Sequence, residues 1–292
     1  YWQNFPKFFN SLMKAYYGKA ATRENAFCYD WVPKRDADYD VMAIYEMMHQ
    51  GKVNGFICQG FNPIGSVPNK KKLTAAMSKL KYLVIMDPLE TETSEFWKNY
   101  GPLNDVDPAQ IKTEVFRLPT NCFAEETGTF TNSSRVASWK EAALPPPGEA
   151  MVDSELVARL FVKIRDLYAR EGGTLPEPIA ATHWPYVNQN KPSPEELLRE
   201  ISGYAVTDLL GPANPSNPDA PRPVVRKAGE QVSGFGELRD DGSTACGNWL
   251  YSGCWSEAGN LTARRDTSDP TGLGVYGKWG YSWPANRRIL YN

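Results

Sequence analysis

The chain is predicted to be an α/β protein: a parallel sheet flanked by helices, with a glycine- and aromatic-rich irregular part toward the C-terminus. Three observations predict it. Val53 to Cys58 is a short run rich in β-formers. Lys70 to Lys81 places Leu73, Ala76, Met77 and Leu80 at three- and four-residue spacings. Tyr82 to Met86 is a near-continuous apolar run. Helical spacing between two strand-length apolar runs describes a βαβ unit, and an unbroken apolar run is what a parallel strand covered on both faces carries.

The remaining elements are taken in chain order. Phe8 to Tyr17 carries Phe8, Phe9, Leu12, Met13 and Tyr16 on one helical face, with Gly18 as its stop. Tyr39 to Gln50 is a second helix, ending at Gly51. Pro88 to Thr93 is a polar loop opening a short helix through Trp97, and Thr113 to Pro119 is another short parallel strand. Gly128 and Asn132 are turn formers ahead of an extended segment reaching Trp139, and Pro145 to Gly148 is a connector. Asp153 is a plausible N-cap for a long amphipathic helix running from Leu156 to Ala169, ended by Gly172 and Gly173. Residues 174–223 are proline-rich, with one short helix from Pro194 to Ile201, and read as a surface excursion. This gives a nucleotide-binding domain over 1–173, the excursion over 174–223 and a returning segment over 224–292. Neither internal repeats nor low-complexity tracts are found.

A hydrophobic fraction of 41% in 292 residues supports a substantial core, and a net charge of -2 gives no electrostatic case for nucleic acid or an anionic membrane. No stretch approaches the roughly 18 apolar residues of a membrane span. The first residue is a tyrosine and the last run, Asn286 to Asn292, looks like an interrupted element, so the chain reads as an internal piece of a longer polypeptide. Cys28, Cys58, Cys122, Cys246 and Cys254 are odd in number and scattered without C-x-x-C. That argues against a disulfide framework or a self-contained metal site and for buried structural thiols.

The loop Gln59-Gly60-Phe61-Asn62-Pro63 and Asp87 sit where the two strands of the βαβ unit end, and ligands of such sheets bind outside the carboxyl ends of the strands. The loop can offer backbone N–H groups to a phosphate, and Asp87 can accept hydrogen bonds from a ribose diol or a base edge. Asn62 and Asp87 are 25 residues apart, near the separation between phosphate loop and ribose acid in Rossmann-like dinucleotide folds, although only one of the three fingerprint glycines is present. An ordinary strand-end turn with Asp87 as a cap competes evenly with this reading. Thr91-Glu92-Thr93 is a common capping triplet, Glu125 and Glu126 are by base rate solvated, and Asp153 is more readily a cap than a ligand. His49 and His183, the only histidines, lie far apart, so no catalytic dyad or metal cage is suggested.

Three segments together carry a specific resemblance: Phe56 to Pro63, Asp87 to Thr93, and Arg117 to Glu126. They resemble the molybdopterin oxidoreductases, the dimethyl sulfoxide reductase superfamily. Within it, Phe8-Phe9, Tyr29 to Lys34, Leu238 to Thr244, Trp249 to Gly253 and Trp283 to Asn292 are similar to the catalytic α subunits of respiratory formate dehydrogenases. The resemblance weakens over 140–148 and 174–230. It implies a bis(molybdopterin guanine dinucleotide) cofactor holding Mo or W, with this chain forming the Rossmann-like domain that binds one guanosine end. It implies that Gln59, Gly60, Asn62 and Pro63 lie at the guanosine and pyrophosphate, Met86 and Asp87 at the guanine and ribose, and Glu126 and Asp153 at the rim, with Thr91 also among the cofactor-binding residues. Many relatives carry lysine where this chain has Glu126.

The same resemblance implies that no catalytic or metal-ligating residue lies in this chain. The metal-ligating selenocysteine or cysteine, the substrate arginine and the ligands of a 4Fe-4S cluster would all precede it. The implied parent reaction is oxidation of formate to CO2 in a periplasmic, membrane-associated complex. Its implied partners are the rest of the polypeptide, an iron–sulfur β subunit and a membrane cytochrome b γ subunit, with no nucleic acid. Two alternatives stay open on the residues alone: a piece of another superfamily member such as a nitrate reductase, or a non-catalytic nucleotide-binding module.

Overall fold

The computed structural model describes residues 2–131, 136–264, 266–273 and 281–284. Asn132 and the run after Pro284, both singled out in the sequence, lie outside the described residues. In chain order the elements are α1 (Phe5–Tyr17), α2 (Val41–His49), β1 (Gly55–Gln59), α3 (Pro63–Ser66), α4 (Lys70–Met77), β2 (Tyr82–Asp87), β3 (Glu114–Pro119), β4 (Gly128–Thr131), β5 (Val136–Lys140), α5 (Asp153–Glu171), α6 (Pro176–Ala181) and α7 (Pro194–Ser202). Short strands complete the chain: β6 (Tyr204–Ala205), β7 (Leu209–Leu210), β8 (Val224–Arg226), β9 (Thr244–Ala245), β10 (Trp255–Ser256), β11 (Gly259–Asn260) and β12 (Tyr281–Pro284).

The chain divides into two compact units, one of residues 34–126 and 143–156 and the other of the remaining segments. The first unit holds the expected βαβ arrangement. Its sheet has the order β1-β2-β3, and both pairings are parallel. Phe56, Leu83 and Val115 stand in one register row, and Cys58, Ile85 and Arg117 in the next but one. Side chains of this face pack with Tyr45 and Met48 of α2 and Leu73, Ala76 and Met77 of α4. The helical spacing read from Leu73 to Leu80 is thus the buried stripe of α4, although the helix stops at Met77. Ser78 caps it, its Oγ donating to the Thr74 carbonyl at 2.8 Å. The opposite face departs in part from the expectation of cover on both sides: Tyr82, Ile57 and Phe116 are exposed on it, whereas Met86, nearer the carboxyl end of β2, is buried.

Two further expectations are corrected in this unit and the next. Residues 92–97 form turns rather than a short helix. The hydroxyls of Thr91 and Ser94 explain it. Ser94 Oγ accepts from the Thr91 N–H and donates to the Thr91 carbonyl, while Thr91 Oγ1 accepts from the Ser94 N–H. Such local bonds offer the backbone an alternative to a helix. In the second unit, 174–223 is more than an excursion with one helix. It contains α6, α7, β6 and β7, and it buries Tyr186, Leu198, Ser202, Ala205 and Leu209. Tyr186 is held by donating to Glu200 at 2.6 Å. Elsewhere in that unit β4 and β5 form an antiparallel pair, and Phe8 of α1 stacks on Trp249 at 4.3 Å between ring centroids.

All cysteines are free thiols. Cys28, Cys58, Cys246 and Cys254 are buried, as a structural role requires, whereas Cys122 is half-buried. Burial, with the Asp87 carboxylate adding to it, pushes the Cys58 thiol up to about 11, so it stays protonated and inert at neutral pH. Among the described residues no helix is long and apolar enough to cross a membrane.

Candidate functional site at the carboxyl edge of the sheet

Gly60 follows β1 directly. Its φ of +57° is a left-handed turn conformation that glycine adopts without penalty, and its N–H donates to the Met86 carbonyl at 2.9 Å. The loop is thereby tied to the end of β2. Pro63 opens α3, where a missing N–H costs nothing.

Asn62 is the hub of the loop. Its Oδ1 accepts from the N–H of Gly65 and from both the N–H and the hydroxyl of Thr93, the last at 2.8 Å. Its Nδ2 donates to Glu92 at 2.6 Å. That bond, ahead of the Glu92 backbone N–H, holds the Glu92 carboxyl below the usual carboxylate range. Thr93 is fully buried, and its hydroxyl also accepts from the Ile64 N–H at 3.1 Å. The arrangement is a clamp joining the loop after β1 to the loop after β2. It narrows what the loop can offer a phosphate. The N–H groups of Gly60, Ile64, Gly65 and Ser66 are all taken by protein acceptors.

Asp87, at the end of β2, differs. Its Oδ1 accepts from the Leu89 N–H at 3.1 Å, which is the capping role. No described residue donates to its Oδ2. Asp87 lines a cavity of about 320 Å³ with Ile85, Pro88, Glu90, Ser94, Arg117 and Pro119 among its walls. Arg117, from β3, pairs with Glu90 at 2.9 Å and approaches Glu95 at 3.7 Å. The cavity therefore has one fixed cation, several acidic oxygens and an apolar floor.

The edge continues past β3. Thr120 makes a parallel bridge to Met151, with the Met151 N–H donating to Pro119 and the Asn121 N–H to Met151. This brings Asp153, the first residue of α5, to the same edge as β1: Gln59 Nε2 donates to Asp153 Oδ2 at 2.7 Å across 94 residues of sequence. Asp153 Oδ1 is buried and has no partner. Asn121 Oδ1 is also buried without a partner, while its Nδ2 donates to the Cys122 carbonyl. An orphaned buried acceptor costs about 1–3 kcal/mol and calls for a donor.

The structure thus gathers Gln59, Gly60, Asn62, Pro63, Met86, Asp87, Thr91 and Asp153 around one edge. Met86 contributes through its backbone, since its side chain is buried. Glu126 is half-buried beyond the short turn at Phe123–Glu125. Sequence reasoning missed Asn121 and Arg117 as edge residues and read Glu92 as part of a capping triplet. All three lie inside the motifs that carry the resemblance, but only their three-dimensional neighbours show what they do. Among the described residues no cluster of His, Cys, Asp and Glu could hold a metal ion.

Fold and edge together define an α/β protein that presents a polar, acceptor-rich cavity beyond the carboxyl ends of a parallel sheet. Comparison with known proteins makes this specific. The chain is 50% identical over 292 residues to the formate dehydrogenase-O major subunit of Escherichia coli, covering all of this chain and 28% of that protein. It is 49% identical over 292 residues to the formate dehydrogenase major subunit of Haemophilus influenzae, with the same coverage. To formate dehydrogenase 2 subunit alpha (cytochrome c-553) of Nitratidesulfovibrio vulgaris it is 41% identical over 299 residues, again covering 28% of the relative. No family model matches the chain. The resemblance read from the motifs is borne out: over its full length the chain is similar to formate dehydrogenase major subunits of the molybdopterin oxidoreductase family, and it spans about a quarter of their length.

Proposed function

We propose that this chain is part of the large subunit of a formate dehydrogenase and binds a guanosine end of a bis(molybdopterin guanine dinucleotide) cofactor holding Mo or W. The observation that carries the reading is Asp87: one carboxylate oxygen is fixed by Leu89 and the other is open, on the wall of a cavity at the carboxyl edge. A guanine edge offers adjacent N–H donors and a ribose offers two hydroxyls. An ionised carboxylate satisfies either with charge-assisted bonds. The orphaned acceptors Asp153 Oδ1 and Asn121 Oδ1 suit the same donor-rich group. Gln59 orients Asp153, and the Asn62 clamp, with Gly60 and Pro63, fixes the shape of the edge. Met86, Thr91 and Glu126 complete the surroundings in a Rossmann-like nucleotide site.

When bound, the cofactor supplies the two-electron chemistry that turns formate into CO2; the residues here bind and orient it. Metal ligation, the 4Fe-4S cluster and the substrate arginine fall to the rest of the polypeptide. Electron transfer onward falls to an iron–sulfur β subunit and a membrane cytochrome b γ subunit, with the complex facing the periplasm. Dye-linked assays of the whole polypeptide with formate and with nitrate test the reading. Formate-dependent reduction is expected, together with guanine and Mo or W in the purified protein. Nitrate-dependent turnover without formate activity, or a protein devoid of guanine, would overturn it.

A further inference from the structure

The cavity between α3, the start of α4 and the turn at 100–104 carries the inference. It holds about 270 Å³, lies within the first unit and shares no wall residue with the Asp87 cavity. Asn104, on one wall, is 5% exposed. Its Nδ2 spends both N–H groups on the Phe96 and Lys98 carbonyls, each at 2.9 Å, so Oδ1 is fixed as an acceptor, and that oxygen is buried without a partner. Glu92 brings an ionised carboxylate whose described donors are the Asn62 amide and its own N–H, which leaves it lone pairs to spare. Lys70, the first residue of α4, pairs with no described carboxylate. Its charge helps to lower the Glu92 carboxyl through space, yet the two do not pair. The remaining walls are Ile64, Leu103 and Tyr100.

We infer that this cavity binds a free α-amino acid with an aliphatic side chain. The ammonium, with its three N–H donors, meets Glu92 and the orphaned Asn104 Oδ1. The carboxylate meets Lys70 and the positive end of the α4 dipole. The side chain lies against Ile64, Leu103 and the Tyr100 ring. A cation and an anion on the walls of one cavity, unpaired with each other, call for a ligand that carries both charges; a simple amine or a simple carboxylate satisfies only one. At roughly 30 Å³ per water-sized group the cavity takes about nine non-hydrogen atoms, the size of leucine. Because Glu92 belongs to the Asn62 clamp, an occupant also steadies the loop after β2. The inference does not rest on the cofactor reading.

The test titrates the full-length polypeptide in its complex with L-leucine by calorimetry, beside isocaproate, which lacks the ammonium, and isoamylamine, which lacks the carboxylate. A Kd of about 1 mM or tighter is expected for L-leucine, with each analogue roughly ten-fold weaker or more. Lys70→Met should weaken L-leucine roughly ten-fold and leave isoamylamine unchanged. Hydrogen exchange at 91–94 should slow when L-leucine is added, a second readout where the heats are small. No binding by either readout, analogues as tight as L-leucine, or an unchanged affinity in Lys70→Met would overturn the inference. Formate activity in the same preparation reports separately on the functional reading.

Discussion

Asn62 and Asp87 both sit at the carboxyl end of a strand, Asn62 three residues past β1 and Asp87 as the last residue of β2, yet the structure uses them in opposite ways. Asn62 is nearly saturated: its oxygen accepts three protein donors and its amide nitrogen spends one of two N–H groups on Glu92. Asp87 is half-saturated, one oxygen on Leu89 and the other facing no described donor. Position at a strand end makes a residue available to a ligand, but unused hydrogen-bonding capacity decides whether it can bind one. On the proposed reading the Asn62 region serves mainly as framework, and the Asp87 cavity, on the same edge as Asp153 and Asn121, is where a ligand gains most.

The largest effect that separates the two regions is expected from Asn62→Ala. Removing the hub leaves the buried Thr93 N–H without its acceptor, a cost of about 3 kcal/mol. Hydrogen exchange should rise sharply at 62–66 and 91–94 and not in α2. The same variant has an acid signature. Glu92 titrates below its ordinary value in the fold, so the stability it adds is present above the unfolded carboxylate range and is lost as pH falls through that range toward the folded value. Removing Asn62 should flatten this acid dependence of exchange in 91–94. Exchange that is unchanged by Asn62→Ala at neutral pH would return Asn62 to the status of an open ligand.

A smaller effect is expected from Gln59→Ala, which removes one exposed bond to Asp153 worth about 0.5–1 kcal/mol. Thermal stability of the intact polypeptide should barely change, while guanine content falls modestly because Asp153 loses its orienting donor. A large loss of stability with full guanine content would move the Gln59–Asp153 bridge to the framework side of the comparison.

Much of the sheet was legible in the sequence. The apolar runs at Val53 to Cys58 and Tyr82 to Met86, and the spacing of Leu73, Ala76 and Met77, reflect contacts made within one short segment, and β1, β2 and α4 lie within a few residues of those bounds. The exposure of Ile57 and Phe116 was not legible, because they are as apolar as the buried residues around them. At the site, residue types and strand ends pointed to Gln59, Asn62 and Asp87. The role of each depends on partners far along the chain: Thr93 and Glu92 for Asn62, and Asp153, 94 residues on, for Gln59. Local pattern carries no trace of such pairings. The turns at 92–97 escaped for a related reason, since reciprocal Thr91 and Ser94 bonds outweigh a weak helical signal.

The role of Asp87 as a guanosine ligand is decided by the guanine content per polypeptide of Asp87→Asn in the full-length subunit. The Leu89 N–H keeps the asparagine oxygen on its own side, so the amide nitrogen must replace the open carboxylate oxygen on the ligand side. A donor then faces the donors of guanosine, costing about 1–3 kcal/mol, which is roughly ten-fold or more in affinity. Bound guanine and Mo or W are expected to fall together while the melting temperature of the cofactor-free protein stays that of the parent. Full guanine and metal content in a correctly folded Asp87→Asn protein would contradict the assignment and leave Asp87 as a cap for the turn at Leu89.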